Sequence, residues 1–484
     1  MTSGMISLGA KLASLAASQP DQPAVTCGSD TLTYRALHRA SNRLARGLAR
    51  RGVDTGDVVI LALPNGVDFV VTCWALWKLG ATPLPLSFRT PERELAGVVA
   101  LAKPVLIVAD FAQPADCPIV RPADLTRPDD DDGDLPDRVS PIIKVMPTGG
   151  STGTPKLILA GQAGLIEAET PAETRFNLRS DAISLMPAPL YHNAPFLMMT
   201  HTIGYGGHAI FMPRFDAEGV LADIAKYRPN WVYMVPTMMN RIWRLPAETR
   251  ASYDIGSVKQ LWHMAAPCPA WLKDELIAWF GADVVWELYG GTEGMAGTTI
   301  VGTEWLAHRG SVGRVKTGEM KIVDPDGHRV PPGTIGEIYM RRTAGTPETY
   351  RYIGAVPKVI ADGWQSLGDL GWFDADDYLY IADRQADMIL VGGSNVYPAE
   401  VEAAIEEHPL VQSSVVIGLP DGDFGSRVHA IVNAMAPVSA DELLGHLASR
   451  LVPYKQPRSF EFVDEPLRSD AGKVRRSALR EARL

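Results

Sequence analysis

Short apolar runs alternate with amphipathic stretches through the first third of the chain, and this alternation restricts the fold more than any other feature. Leu37, Ala40, Leu44 and Leu48 recur at helical spacing and stop before Gly52. Val58 to Leu63 is a continuous apolar run, as in a parallel strand buried on both faces. A helical stretch then runs to Lys78 and Gly80, and Val105 to Val108 is another apolar run. Strand and helix in alternation predict an α/β fold: mostly parallel sheets with helices on both faces. A chain of 484 residues is too long for one core, so two or three domains are expected.

A domain boundary is expected at Arg384, dividing residues 1–384 from 385–484. Beyond it the pattern restarts. Met388 to Val391 reads as a strand, Gly392-Gly393 as a turn, and Pro398 suits the first turn of a helix. Val401, Ala404 and Ile405 share one face of that helix, and His408-Pro409 ends it. Ser439 and Glu442 have capping-box spacing ahead of Leu443, Leu444, Leu447 and Leu451. The last stretch of the chain is therefore expected to be a small α+β domain.

The net charge of −10 argues against a nucleic-acid partner, which favours a basic face. No apolar run approaches the roughly 18 residues that span a bilayer. The longest candidate, Phe69 to Trp77, ends at Lys78. Leu8, Leu12 and Leu15 have helical spacing rather than the pattern of a signal peptide. Cys27, Cys73, Cys117 and Cys268 are scattered and form no C-x-x-C, so reduced thiols in a cytoplasmic protein are expected. The acidic run Asp129 to Asp132 lies between Pro128 and Gly133 and reads as a solvated loop rather than a metal site.

Thr148-Gly149-Gly150-Ser151-Thr152-Gly153-Thr154-Pro155-Lys156 offers backbone N–H groups, hydroxyls and one ammonium with little steric cover. That combination suits a polyphosphate. It is not a Walker A loop, because Leu157 rather than Ser or Thr follows the Lys. Four more segments follow in order: Tyr289-Gly290-Gly291-Thr292-Glu293; Gly368-Asp369; Asp383-Arg384 running to Gly393 and Pro398; and Gly472-Lys473. Together the five resemble the adenylate-forming superfamily of acyl-CoA synthetases, peptide-synthetase adenylation domains and luciferases. The resemblance covers nearly the whole chain.

The resemblance implies ATP, Mg²⁺ and CoA as cofactors and co-substrates, and a C-terminal domain that swivels between two half-reactions. It makes Thr148 to Gly153, with Lys156, the phosphate cradle. Gly149 stands where relatives usually carry Ser or Thr, so one hydroxyl is missing. It places Glu293 on the metal, Thr292 on the α-phosphate, and Tyr289 and Gly290 against the adenine. Asp369 and Arg384 fall on the ribose, and Lys473 bridges the attacking carboxylate and the ATP during adenylation only. Gly393 is matched to the passage of pantetheine. Taken alone, the segment 289–293 is equally compatible with a surface turn; a flexible tail is the other reading of Lys473, but Gly472 before it and the basic residues after it resemble the family's ending and favour the functional one.

His192, in Tyr191-His192-Asn193-Ala194-Pro195, matches the position beside the acyl carboxylate in acyl- and aryl-CoA ligases. No Asp stands there to pair an amino group, and an unpaired buried ammonium is costly, so an amino-acid substrate is disfavoured. A structural His is the other reading. Met238, His263, Ala265 and Ala266 fall in acyl-pocket segments, and the methionines suggest a deformable apolar pocket. A bulky lipophilic acid is expected; the run Tyr191 to Pro195 resembles ligases for bile-acid, steroid or terpenoid acids, with fatty or aryl acids next. The hinge position two residues after Arg384, usually Asp or Lys, is Ala386.

These readings predict an ATP-dependent acid–thiol ligase that passes an acyl-adenylate to CoA. Delivery to a carrier protein or partner enzyme, a non-catalytic nucleotide-binding paralogue and a luciferase-type oxygenase are the alternatives. Glu293, Asp369 and Lys473 argue against the non-catalytic one. No sequence feature decides between a monomer and a homodimer.

Overall fold

The computed structural model describes residues 4–111, 117–149, 155–171, 174, 176–469 and 472–484. It is a mixed α/β protein with a large N-terminal domain and a small C-terminal one. The expected alternation is present. Tyr34–Arg50 is a helix capped by Thr33, whose side chain accepts from Ala36 N. Val58–Ala62 lies between Thr82–Pro85 and Leu106–Ala109 in a separate parallel sheet. The helix Val67–Lys78 between them is buried along almost its whole length, because it packs under two sheets at once.

The parallel order has a limit that the apolar pattern did not reveal. In the largest sheet, Pro23–Cys27, His208–Phe211, Ile183–Met186, Trp231–Met234, Gln260–His263 and Val285–Gly290 are neighbours in that order, all parallel. From Gly297–Val301 onward every pairing in this sheet is antiparallel, through Ser311–Thr317, Leu379–Arg384, Trp364–Phe373 and Gly336–Arg341 to Glu319–Val323. The direction changes where Val285–Gly290 turns back on Gly297–Val301, with Gly290 opposite Gly297.

The acidic run is a loop, but it is ion-paired rather than merely solvated. Asp130, Asp131 and Asp132 meet Arg50, Arg46 and Arg43 at 2.6, 2.5 and 2.8 Å. Those arginines share one helix face at i, i+3 and i+7, so consecutive acids can reach them.

The small domain has its own core of Val401, Ile405, Val416, Val428, Ala430, Leu443 and Leu447. Its helix Pro398–Glu406 packs on the hairpin Val411–Asp421 and Gly425–Ala434, and Ser459–Phe462 adds a parallel strand. Ser439 and Glu442 form the expected capping box. Instead of leading directly into the helix, the Gly392-Gly393 turn leads into a short strand, Ser394–Val396, paired with Ile389–Val391. Buried Glu402 is bracketed by Arg468 and Arg476 at 2.8 and 2.7 Å.

Candidate active site

The C-terminal end of Val285–Gly290 carries Tyr289 to the rim of the large sheet. Its hydroxyl donates to Asp369 Oδ2 at 2.7 Å. Burial, and then the Asp369 carboxylate, push the Tyr289 hydroxyl well above the usual phenol range. Asp369 lies in register opposite Arg384 on the neighbouring strand, and Arg384 Nε is 3.4 Å from Asp369 Oδ1. Three residues from three sequence segments thus form one polar group: Asp369 and Arg384 face across an antiparallel strand pair, and Tyr289 reaches Asp369 from the end of a parallel strand. Asp369 accepts from Tyr289 and faces the exposed Arg384.

The turn after Gly290 bends Glu293 inward, where it is buried. A Cβ at Gly291 would stand 2.4 Å from Leu367 Cδ1 and 2.6 Å from Glu293 Oε2, so a side chain there would have to displace the ends of both. Thr292 is half-buried beside it. Tyr352 donates to Glu293 Oε1, and Lys156 Nζ is 3.9 Å from the same oxygen. Lys156 also lies 4.2 Å from the centroid of the Tyr352 ring. Burial lowers the Lys156 pKa, Glu293 opposes that, and Arg384 adds to it. Tyr352 was missing from the sequence reading, and its alternation with Tyr350 on one short strand was the available signal.

Thr148 and Lys156 are register partners at the end of the hairpin Val145–Gly149 and Pro155–Ala160, with Gly149 opposite Pro155. Gly150, Ser151, Thr152 and Gly153 lie outside the described residues. Among the described residues neither Thr148 Oγ1 nor Thr349 Oγ1, both buried, has a hydrogen-bond partner. A buried hydroxyl left unpaired is costly, and an anionic ligand at the mouth of this hairpin would satisfy it.

Lys473 reaches the same cleft from the small domain. The loop before it passes close to the large domain: a Cβ at Gly472, whose φ is +73°, would be 3.2 Å from Thr237 Oγ1 and 3.7 Å from Ala266 Cβ. Lys473 is exposed to solvent, yet protein packs around part of its side chain. That enclosure lowers its pKa, Arg384 adds to the effect and Glu293 opposes it. His192 stands at the N-terminus of the helix Asn193–Gly204, its ring 4.5 Å from that of Tyr191. Burial, and then Lys473, hold His192 down to about 3, so its ring is neutral at physiological pH.

The residues expected to line an acyl pocket divide. Ala266 faces the Lys473 loop, and Met238 is buried in the helix Pro236–Trp243. Ala265 takes a left-handed conformation, φ +75°, at the turn after the strand Gln260–His263. His263 has no exposed surface, and neither ring nitrogen has a hydrogen-bond partner among the described residues. Its Nδ1 is 3.9 Å from Glu287, which takes a 2.5 Å bond from fully buried Lys273. Burial holds His263 at about 4. Gly393 stands in an exposed turn with open space around it, and Ala386 lies in the exposed turn Gln385 to Asp387. Neither is among the residues gathered in the cleft.

Glu293 fits a hard divalent cation, which prefers oxygen ligands: its carboxylate is buried, and Lys156 at 3.9 Å does not satisfy it fully. Residues 12–350 match the AMP-binding enzyme family and 400–473 the AMP-binding enzyme C-terminal domain, so the chain belongs to that adenylate-forming family. It is 33% identical over 480 residues to a feruloyl-CoA synthase of an Amycolatopsis species, covering 95% of this chain and 96% of the relative. It is 29% identical over 495 residues to the fatty acid–[acyl-carrier-protein] ligase ScoC of Streptomyces coeruleorubidus, covering 96% and 94%. The fold superposes on the O-succinylbenzoate coenzyme A synthetase of Bacillus subtilis, solved with ATP and a magnesium ion. The TM-score is 0.79, with 25% identity and coverage of 97% and 98%. Among the described residues no helix is long and apolar enough to cross a membrane.

Proposed function

We propose that this protein uses ATP to activate a lipophilic carboxylic acid as an acyl-adenylate and then transfers the acyl group to CoA. The observation that carries the reading is the convergence of Lys473 with Glu293, Arg384 and His192 in one cleft. In the first step a carboxylate oxygen attacks the α-phosphorus and pyrophosphate leaves. Lys473 supplies a positive charge between the attacking carboxylate and the phosphate oxygens, where charge builds up. Glu293 would hold Mg²⁺, which neutralises phosphate charge when bound. The Thr148 hydroxyl and Lys156 receive phosphate oxygens, and Asp369, oriented by Tyr289 and Arg384, accepts from the ribose hydroxyls. Neutral His192 sits beside the acyl carboxylate without pairing a substrate ammonium. In the second step the thiol sulfur of CoA attacks the acyl carbonyl and AMP leaves.

The acid expected is bulky and polycyclic or fatty; aryl acids come next, and the feruloyl and fatty-acid relatives keep both in the panel. A carrier protein as acceptor is the second reading, favoured by the similarity to the acyl-carrier-protein ligase. The test is ATP–pyrophosphate exchange across lipophilic, aromatic and amino acids, repeated with CoA while thioester is followed by mass spectrometry. Exchange with a lipophilic acid and thioester on CoA support the reading. An amino acid as best substrate overturns the reading of His192, and adenylate without CoA thioester shifts the acceptor to a carrier.

A further inference from the structure

The small domain delivers Lys473, so something must hold it against the large domain while Lys473 is in use. Arg244 lies at the end of the large-domain helix Pro236–Trp243. Its guanidinium crosses to the small domain and donates to three backbone carbonyls: Glu406 O at 2.9 Å, Pro409 O at 2.9 Å and His408 O at 3.4 Å. Those carbonyls are at and just beyond the end of Pro398–Glu406. A helix leaves its last carbonyls without intrahelical donors, and its C-terminus attracts a cation. Here the other domain supplies that cation.

The contact is organised rather than incidental. Arg244 Nε donates to Asn240 Oδ1 at 3.3 Å, one helical turn back, and Asn240 Nδ2 donates to Gln412 O at 3.0 Å. The guanidinium also lies 5.0 Å from the centroid of the Trp271 ring. Asn240 is buried and Arg244 partly so. A cross-domain ion pair, Arg475 to Glu94 at 3.1 Å, joins a largely exposed Arg to a partly exposed Glu and is worth little in water. The helix that carries Arg244 also carries Thr237, against which the Gly472 backbone is seated. One short helix therefore touches both the Lys473 loop and the helix end of the small domain.

We propose that Arg244 is a positioning residue for adenylation: by capping the Pro398–Glu406 helix across the domain junction it keeps the small domain in the orientation that places Lys473 in the cleft. This rests on the proposed role of Lys473 and on a swivelling small domain. When that domain turns away, water takes the carbonyls and Arg244 is released, so the bonds belong to one orientation only. The rate of a step that needs this orientation scales with the fraction of molecules occupying it.

The test compares wild type, Arg244→Gln, Arg244→Lys and Asn240→Ala as full-length proteins. Electron–electron resonance between one spin label on each domain reads the docked fraction without relying on activity. ATP–pyrophosphate exchange and thioester formation from a supplied acyl-adenylate read the half-reactions. Arg244→Gln should lower the docked fraction and slow exchange about tenfold, the scale of losing charge-assisted hydrogen bonds. Thioester formation should stay within about twofold of wild type. Arg244→Lys should recover part of the loss, since an ammonium reaches one carbonyl. Asn240→Ala, which keeps Arg244, should give a smaller shift in the same direction and carries the test should Arg244→Gln fail to fold. An unchanged docked distance in Arg244→Gln overturns the inference whatever the substrate. So does equal loss of both half-reactions. A wild type that shows the docked distance but exchanges pyrophosphate with no acid overturns the functional reading instead.

Discussion

The two domains contribute to the cleft in different ways. Tyr289, Asp369 and Arg384 stand on strands of one continuous sheet, and Glu293 follows in the turn that closes the hairpin from Val285–Gly290 to Gly297–Val301. The small domain brings Lys473 on a loop of a body with a separate core, joined to the large domain by a few side chains such as Arg244 and Asn240. Groups placed on a sheet keep their spacing; a group on a docked body keeps it only while docked. The difference suits a site in which phosphate and ribose contacts persist and one charge comes and goes.

The largest effect should fall on the large domain. Lys273→Met leaves Glu287 buried without its ammonium partner. Breaking such a pair costs about 3–5 kcal/mol. Thermal unfolding should show that loss in the large-domain transition, and a variant as stable as wild type would mean that water or His263 compensates the carboxylate.

Lys473→Ala comes next. Removing one preorganised electrostatic contact slows the dependent step by about 10²–10³. Pyrophosphate exchange should fall by that amount, while thioester formation from a supplied acyl-adenylate survives. Equal loss of both would erase the distinction between fixed and docked groups.

Much of the fold was legible because fully buried elements write long apolar runs. Val58–Ala62 and Val67–Lys78 are sealed on all sides, and their sequences show it. The antiparallel part was not legible, because strands such as Ser311–Thr317 and Lys358–Ile360 are half-exposed and of mixed polarity. In the cleft, Tyr289, Glu293, Asp369, Arg384 and Lys473 were picked out through five ordered motifs that resemble the family's, and all but Arg384 adjoin a glycine. Tyr352 and Arg244 were not, since their partners are 59 or more residues away and no local pattern marks the pairing.

A pH prediction separates the domains further. His263 is held neutral at about 4 by burial, against about 6.5 in an unfolded chain. The folded value is the lower one, so unfolded chains take up the proton first and stability is lost as pH falls from about 6.5 toward 4. Between pH 7.5 and pH 5 this group accounts for a loss of about 2 kcal/mol. His263→Phe should flatten the acid side of the large-domain stability curve by that amount, as read by denaturant titration. An unchanged slope would move the acid sensitivity to other groups.

The smallest effect belongs to the small domain. Ser439→Ala removes the capping box and should lower small-domain stability by about 1 kcal/mol. Calorimetry should show the large-domain transition unmoved. A shift of both together would mean that the two cores unfold as one cooperative unit.

The hairpin in which the large sheet changes direction also bears on engineering. Gly290 and Gly297 are paired, so residues 291–296 form a closed connection whose length sets how deep Glu293 sits. One inserted residue there would move the carboxylate away from Tyr352 and Lys156 even though every side chain remained. The exposed turn Asp324 to His328, at the far edge of the same sheet, carries no such constraint, and tags or fused peptides belong there.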